Sequence, residues 1–306
     1  MKLLTKKYLI GTFVFLLFIL PIHLFAQVEI TSDDLLGMIG NVQEYEIYEG
    51  NLISVDVGSA GENQTWDFRN LSFNPLFNTR IEFLTPSETE FAGDFSNANL
   101  GQKVTSSQEP DFELYNYYQV DQQLFIHSGM AERNSFGSLD SSFVNVMNDT
   151  IASLPMQYLD TWETIDTDTL SFTPVSITVS TDTTISTIDA WGTVRLPSGD
   201  YQCIRLKNEV ISELANVFNG ISIPFITETY IEYIWISKDN FQVMTITSQD
   251  GETNPNFSQA GYIERMSAVE TSVAELQSES TVPTNFQLSQ NYQIGRASCR
   301  ERVCHR

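Results

Sequence analysis

The chain has 306 residues and is strongly acidic, with 39 Asp and Glu against 16 Lys and Arg and a formal net charge of -23. Such a field repels nucleic acid and anionic membranes, so neither is expected as a partner. Of the three histidines, only His127 lies outside the N-terminal leader and the C-terminal stretch discussed below, which leaves almost no material for a histidine zinc cluster or a serine–histidine triad.

The N-terminal segment has the pattern of a secretory signal peptide. Lysines at positions 2, 6 and 7 precede an apolar run from Tyr8 to Ala26, and Ala26 is a small residue at the expected cleavage point. The run is also just long enough for a membrane span, so an uncleaved anchor is the alternative. We expect residues 1–26 to be removed, giving a mature chain at the cell surface or in the medium with no membrane span.

Strand periodicity dominates from about residue 28 onward. In TETYIEYIWIS, residues 227–237, both faces carry aromatic residues, which indicates a strand covered on both sides for part of its length. Turn signals between β-rich runs predict hairpins at 121–123, 180–183, 197–200 and 237–240. SDDLLGMIG, residues 32–40, predicts one short helical turn capped by Ser32.

These signals predict an all-β domain over residues 27–266. It is either an antiparallel, hairpin-rich sandwich or one strongly curved, half-barrel sheet, with very little helix. The one cysteine of this region, Cys203, is in a strand-like stretch and is interpreted as a small packed hydrophobe.

Two groups of side chains are candidate binding residues. Trp66, Trp162 and Trp191 are either core anchors beside turns or a stacking platform for sugars. The basic residues Arg195, Arg205 and Lys207 either form a pocket for an acidic ligand or neutralise carboxylates across the sheet.

Carboxylates are too abundant for any one pair to identify an enzyme. Glu228 and Glu232 lie on one strand face, but four residues along a strand span roughly 13 Å. A glycosidase pair is roughly 5–10 Å apart across a cleft, so we interpret these two as a solvated face. DTDTLSF, residues 166–172, alternates acids and threonines without the glycine or terminal glutamate of an EF-hand, and gives only a weak indication of calcium. No other cofactor and no catalytic residue is predicted.

The chain changes character after Met266. Residues 267–282 are rich in Ser, Thr, Glu and Val and are expected to be a linker. VPTNFQLSQNY, residues 282–292, resembles the opening of the C-terminal sorting domain carried by type IX secretion substrates of Bacteroidota. The matching residues of the motif, within 283–292, are Pro283, Phe286, Leu288, Gln290, Asn291 and Tyr292. The resemblance implies export through the type IX machinery as partner.

Residues 293–306 depart from that pattern, which normally continues with Pro-Asn-Pro-Phe. IGRASCRERV, residues 294–303, is similar to a translated sequencing-library adapter, so we expect this stretch not to be native. Without the leader and this stretch, nine basic and 38 acidic residues remain, a net charge of -29.

Three short tripeptides resemble the O-glycosylation acceptor pattern of exported Bacteroidota proteins. They place candidate modified residues at Thr150, Thr169 and Thr183. The body of the chain also resembles uncharacterised secreted proteins with this sorting domain, in GSAGENQTWDF (58–68), FSNANL (95–100), LPMQYLDTW (154–162) and WGTVRLPSGDYQCIRLK (191–207). That resemblance implies no activity.

The sequence therefore predicts an exported binding or adhesion module, with glycans as a candidate ligand. The alternative is a secreted hydrolase of polysaccharide or protein whose carboxylate pair the fold brings together, and a third possibility is a matrix component. Lack of a nucleophile motif favours binding over catalysis. A groove lined by Trp or Tyr would support binding, and two acids facing each other across it would support hydrolysis.

Overall fold

The computed structural model describes residues 27–136, 139–173, 176–218 and 221–271, and the statements below concern these residues. The signal-peptide, sorting-motif and adapter-like segments lie outside them. In chain order the elements are α1 (Ser32–Leu36), β1 (Asn41–Ser54), β2 (Gly61–Asp67), β3 (Phe77–Leu84), a 3-10 turn (Pro86–Glu88), β4 (Leu100–Ser106), β5 (Phe112–Val120), β6 (Leu124–Phe136), β7 (Leu139–Ser153), β8 (Thr161–Thr173), β9 (Ser176–Leu196), β10 (Gly199–Phe218), β11 (Ile221–Ser237), β12 (Phe241–Ser248) and β13 (Gln259–Thr271).

All 13 strands belong to one sheet. Twelve of them follow the order β2-β9-β10-β11-β12-β13-β1-β3-β4-β5-β6-β7, and β8 pairs with β9 beside this path. Neighbours are antiparallel except β2, which runs parallel to β9. Two strands pair with the same edge of the long strand β9: β8 pairs with its first half and β2 with its second half. The sheet is not closed, and the all-β prediction is confirmed in its single-sheet form.

The sheet is strongly curved, because side chains from both ends of the strand order meet in one core. Leu100 and Phe125, from β4 and β6, pack in the same cluster as Ile188 and Ile204, from β9 and β10. We call this side the inner face. The N-terminal segment and α1 fill part of it with Val28, Ile30, Leu35 and Met38.

The opposite side, the outer face, has its own core around Trp66, Tyr233 and Trp235. Along β11, Tyr233 and Trp235 face outward while Ile234 and Ile236 pack with the inner cluster. The prediction that this strand is covered on both sides is therefore confirmed. Burying alternate residues in two cores fixes the register, since a slip of one residue would exchange the two sets.

Two local predictions differ from the structure. The hairpin predicted at 180–183 is wrong, because β9 continues through it with Asp182 paired to Asp166 of β8 and Ser212 of β10. Pairing on both edges and the surrounding β-branched residues outweigh the turn preference of Asp. The short helix begins after Thr31 rather than Ser32, and the Thr31 hydroxyl and Asp34 carboxylate form a capping box.

The other hairpins lie where the turn signals place them, between β5 and β6, β9 and β10, and β11 and β12. At the C-terminal end, β13 continues to Thr271, five residues beyond Met266. The first five residues of the predicted linker thus belong to the last strand.

Residues 55–76, between β1 and β3, pack against the outer face, and we call them the covering segment. A buried arginine fastens this segment to the centre of the sheet. The guanidinium of Arg205 donates to both carboxylate oxygens of Asp189 at 2.8 Å, and to the carbonyls of Val57 and Gly58 at 2.5 and 3.3 Å. It also lies 4.3 Å from the centre of the Tyr233 ring. Its charge is therefore both paired and hydrogen-bonded, as a buried ion requires.

A bulge and two glycines make this approach possible. The register of β9 and β10 shifts between Arg205 and Leu206, which leaves Asp189 as the extra residue of a β-bulge. Gly192 of β9 pairs with Gln64 of β2, and a Cβ on Gly192 would lie 2.0 Å from the Gln64 carbonyl oxygen. Gly58 has a φ of +70° and faces the Trp66 ring, so a side chain is excluded there too.

A second arginine fastens the rest of the covering segment in the same manner. Arg265 of β13 donates to Glu46 of β1 and, at 2.7 Å, to the carbonyl of Leu71. Its guanidinium lies 4.4 Å from the centre of the Phe73 ring. Both arginines thus hold backbone carbonyls of the segment between β1 and β3 against the outer face.

We expect Arg205→Met to lower the free energy of unfolding by about 3–5 kcal/mol, because Asp189 and two carbonyls lose their partner in a buried site. Urea denaturation followed by circular dichroism measures the change. The control is Arg195→Met, which breaks an exposed pair with Asp200 and should cost about 0–1 kcal/mol. Equal losses in the two variants would contradict this account of Arg205.

Candidate functional site

A cleft of about 560 Å³ opens on the inner face, between β6 and β7 on one side and β8 to β11 on the other. Its polar lining includes His127, Asp149, Trp162, Asp166, Ser186 and Asn208, together with Asn148 and three threonines. Met147, Leu206 and Ile234 supply apolar surface. We call this the inner cleft; its volume lies within the usual range for small-ligand pockets.

Strand register places one row of side chains across the cleft floor. Trp162 of β8 lies opposite Ser186 of β9, which lies opposite Asn208 of β10, which lies opposite Glu232 of β11. Directly opposed residues project from the same face of a sheet. The row therefore presents an indole, a hydroxyl, an amide and a carboxyl side by side.

Hydrogen bonds fix the orientation of this row. The Ser186 hydroxyl donates to Oδ1 of Asn208 at 2.9 Å, and Nδ2 of Asn208 donates to Oε2 of Glu232 at 2.8 Å. Because the Ser186 hydroxyl and the Glu232 carboxyl both bond to the Asn208 side chain, the amide is held in one orientation beneath the cleft.

His127 forms part of the facing wall. It lies opposite Asp149 of β7 and Tyr118 of β5, and its ring centroid is 5.2 Å from that of Tyr118. Burial lowers the pKa of His127, against the opposing effects of Asp149, Asp166 and a hydrogen bond to the Gly129 backbone. Burial therefore favours the neutral imidazole over the charged form. Among the described residues its Nε2 has no hydrogen-bond partner.

Two carboxylates enter the cleft from different walls. Asp149 belongs to β7 and Asp166 to β8, and both are exposed. Asp182 of β9 lies directly opposite Asp166 on the same face. Within the described ranges, no Lys or Arg lines the cleft.

Carboxyl groups also lie deeper on the inner face. Burial raises the pKa of Glu232, and the Asn208 hydrogen bond opposes that shift. Burial raises the pKa of Glu264 to about 7, with a smaller contribution from the charge of Glu232. Its Oε2 accepts from Nε2 of Gln242 at 2.7 Å. The interpretation of Glu228 and Glu232 as one solvated face is wrong for Glu232, which is partly buried, whereas Glu228 is exposed.

The three predicted tryptophans lie in three different places. Trp66 is buried in the outer core and Trp191 in the inner core. Trp162 is only partly buried and lines the inner cleft. The structure therefore does not bring the three indoles together, and Trp162 alone of them borders the cleft.

The three predicted basic residues each have an acidic partner and none lines the inner cleft. Arg195 lies 3.5 Å from Asp200, and Nζ of Lys207 lies 3.2 Å from Glu209. Arg205 is buried with Asp189. The arrangement matches neutralisation of nearby carboxylates.

The candidate O-glycosylation sites all lie in strands. Thr150 of β7 and Thr169 of β8 are exposed, and Thr183 of β9 is partly buried. Thr150 also borders the inner cleft. Modification of these residues stays a prediction.

No group of three or more His, Cys, Asp or Glu side chains in the described part of the chain could hold a metal ion. The calcium expectation for residues 166–172 stays a prediction. Among the same residues, no helix is long and apolar enough to cross a membrane. Burial raises the pKa of the Cys203 thiol, which disfavours the reactive thiolate.

The sequence analysis did not predict His127, Asp149, Ser186 or Asn208 as binding residues. They come from four strands, and no short motif joins them. A signal was available in the polar side chains that interrupt strand faces otherwise rich in apolar residues, as Asn208 does between Leu206 and Val210.

No family model matches the chain, and no curated protein matches it. It is similar to one solved structure, a "putative lipoprotein" from Parabacteroides distasonis, at 13% identity and a TM-score of 0.34. The match covers 78% of this chain and 98% of the other. At that TM-score the likeness carries no argument about function.

We expect Glu264→Gln to raise the free energy of unfolding at pH 8 and to leave it nearly unchanged at pH 4. The folded-state pKa of Glu264, about 7, exceeds the unfolded value of about 4.3. The folded state therefore binds the extra proton in this window, and stability falls as pH rises from about 4.3 to 7.

Urea denaturation of both proteins across this pH range measures the difference, and Glu228→Gln, which changes an exposed acid of β11, is the control. A difference that does not change with pH would contradict the role of Glu264.

Proposed function

We propose that the protein is an exported β-domain that binds a sugar in the inner cleft. The observation that carries the proposal is the row across the cleft floor, in which the Trp162 indole lies beside the Ser186 hydroxyl and the Asn208 amide. An aromatic face packs against the apolar face of a sugar ring, and fixed amide and hydroxyl groups bind its hydroxyls.

The cleft has the composition of a small-molecule site. Apolar surface from Met147, Leu206 and Ile234 surrounds a few oriented polar groups. Such groups fix the orientation of a ligand while the apolar surface supplies most of the buried area.

The export part of the proposal is supported by the sequence. A basic and apolar leader precedes the domain, and residues 282–292 resemble the start of a type IX sorting domain. Delivery to the cell surface or the medium by that machinery suits a module that meets glycans outside the cell.

A hydrolase acting on polysaccharide is the second candidate. The observation that favours it is the entry of Asp149 and Asp166 from different walls of the cleft, since glycoside hydrolysis uses two carboxyl groups on either side of the scissile bond. Binding is placed first because the indole, hydroxyl and amide row needs no further group to hold a sugar.

We expect Trp162→Ala to weaken binding of the cognate glycan by about tenfold or more, and Trp162→Phe to retain most of it, because the aromatic face is kept. A glycan array finds the ligand, and isothermal titration calorimetry measures affinity. Circular dichroism establishes that each variant is folded. Full binding by the folded Ala variant would contradict the proposed site.

The hydrolase candidate predicts turnover of at least one polysaccharide in a substrate panel. Asp149→Asn or Asp166→Asn should then lower the rate by about 100-fold or more, as loss of a general acid or base does. Reducing-end release measures the rate. Binding without turnover by the wild-type chain would exclude this candidate for that ligand.

A further inference from the structure

We propose that the inner cleft selects a sugar that carries a protonated amino group, of the glucosamine type. This inference rests on the proposed function and names the class of ligand for that site. It follows from the uncompensated negative charge of the cleft and from the groups that surround that charge.

The negative charge comes from three strands. Asp149 of β7 and Asp166 of β8 line the cleft, and Asp182 of β9 lies opposite Asp166 on the same face. Among the described residues, no Lys or Arg pairs with any of them. His127 is the one described residue of the lining that could carry a positive charge, and burial disfavours that charge by lowering its pKa.

The electrostatic interaction between Asp166 and Asp182 is unfavourable in the absence of a cation. Like charges directly opposite each other on neighbouring strands repel. In addition, Oδ1 of Asp182 is buried and has no hydrogen-bond partner among the described residues. A buried carboxylate oxygen without a partner costs free energy. A cation bound beside Asp166, which lines the cleft, would reduce the repulsion within the pair.

The walls strengthen the attraction for a cation. Trp162, Met147 and Leu206 add apolar surface to the same cleft that Asp149 and Asp166 line. Low-dielectric walls around charges of one sign focus the field into a cleft. The face of the Trp162 ring also attracts cations and adds to the preference of the cleft for a positively charged sugar.

The row of Ser186 and Asn208 distinguishes an amino sugar from a simple cation. Their oriented hydroxyl and amide match the hydroxyls of a sugar ring and have no counterpart in an alkyl ammonium chain. Acidic sugars, such as uronates, would meet repulsion from Asp149 and Asp166 in the same position.

The test compares two ligands with the same skeleton. Isothermal titration calorimetry at about pH 6 and low salt measures binding of a glucosamine oligosaccharide and of its N-acetylated counterpart, in which the charge is removed. We expect the amine form to bind at least about tenfold more tightly, and added salt to reduce that preference.

Substitutions in the cleft test whether its carboxylates cause the preference for the amine form. Asp166→Asn and Asp149→Asn should each weaken binding of the amine form about tenfold while changing binding of the N-acetylated form little. Glu163→Gln is the matched control, because Glu163 is an exposed acid on β8 that projects from the opposite face. It should leave the preference unchanged.

The outcomes separate the two proposals. Equal binding of both oligosaccharides, with loss in Trp162→Ala, would overturn the charge preference and leave the sugar site in place. Binding of neither would overturn both. A trilysine peptide that binds as tightly as the amine sugar, without dependence on Trp162, would overturn the amino-sugar assignment in favour of a cationic peptide.

Discussion

The buried pair of Arg205 and Asp189 is the interaction on which the two-sided sheet depends. Taking a guanidinium out of water is costly unless it is paired and hydrogen-bonded, and here carboxylate and backbone oxygens accept four hydrogen bonds from it. Since two of those oxygens belong to residues 57 and 58, the charge can be satisfied only when the covering segment lies on the outer face. The pair therefore links strand pairing to the position of a loop distant in sequence.

Because of this constraint, different segments cover the two faces of the sheet. The covering segment, with Trp66 and the neighbouring aromatic side chains, fills the outer side. The inner side is filled by the N-terminal segment and α1 only around Leu35 and Met38. The remaining inner surface, bordered by β7 and β8, forms the cleft. Polar residues such as Ser186 and Asn208 are tolerated there because they satisfy one another.

The predictions succeeded or failed according to how local their signals are. The turn at 197–200 was predicted correctly because Pro, Ser, Gly and Asp favour a turn wherever they occur. The turn predicted at 180–183 does not form. Asp182 instead pairs with Asp166 and Ser212 on neighbouring strands, and those partners lie too far away in the chain for a local pattern to reveal them. The three tryptophans were grouped by residue type, yet Trp66 pairs with Val194, three residues from Trp191, and strand alternation therefore sends the two indoles to opposite faces.

The sequence by itself determined the all-β class, the antiparallel hairpins and the burial of β11 on both sides, because alternation with period two and turn chemistry are properties of neighbouring residues. Only the tertiary structure decided where a ligand could bind. The inner cleft brings His127 and Asp149 to Trp162, Ser186 and Asn208, which belong to separate strands. Their proximity arises from the curvature of the whole sheet, and curvature depends on packing between segments far apart in the chain.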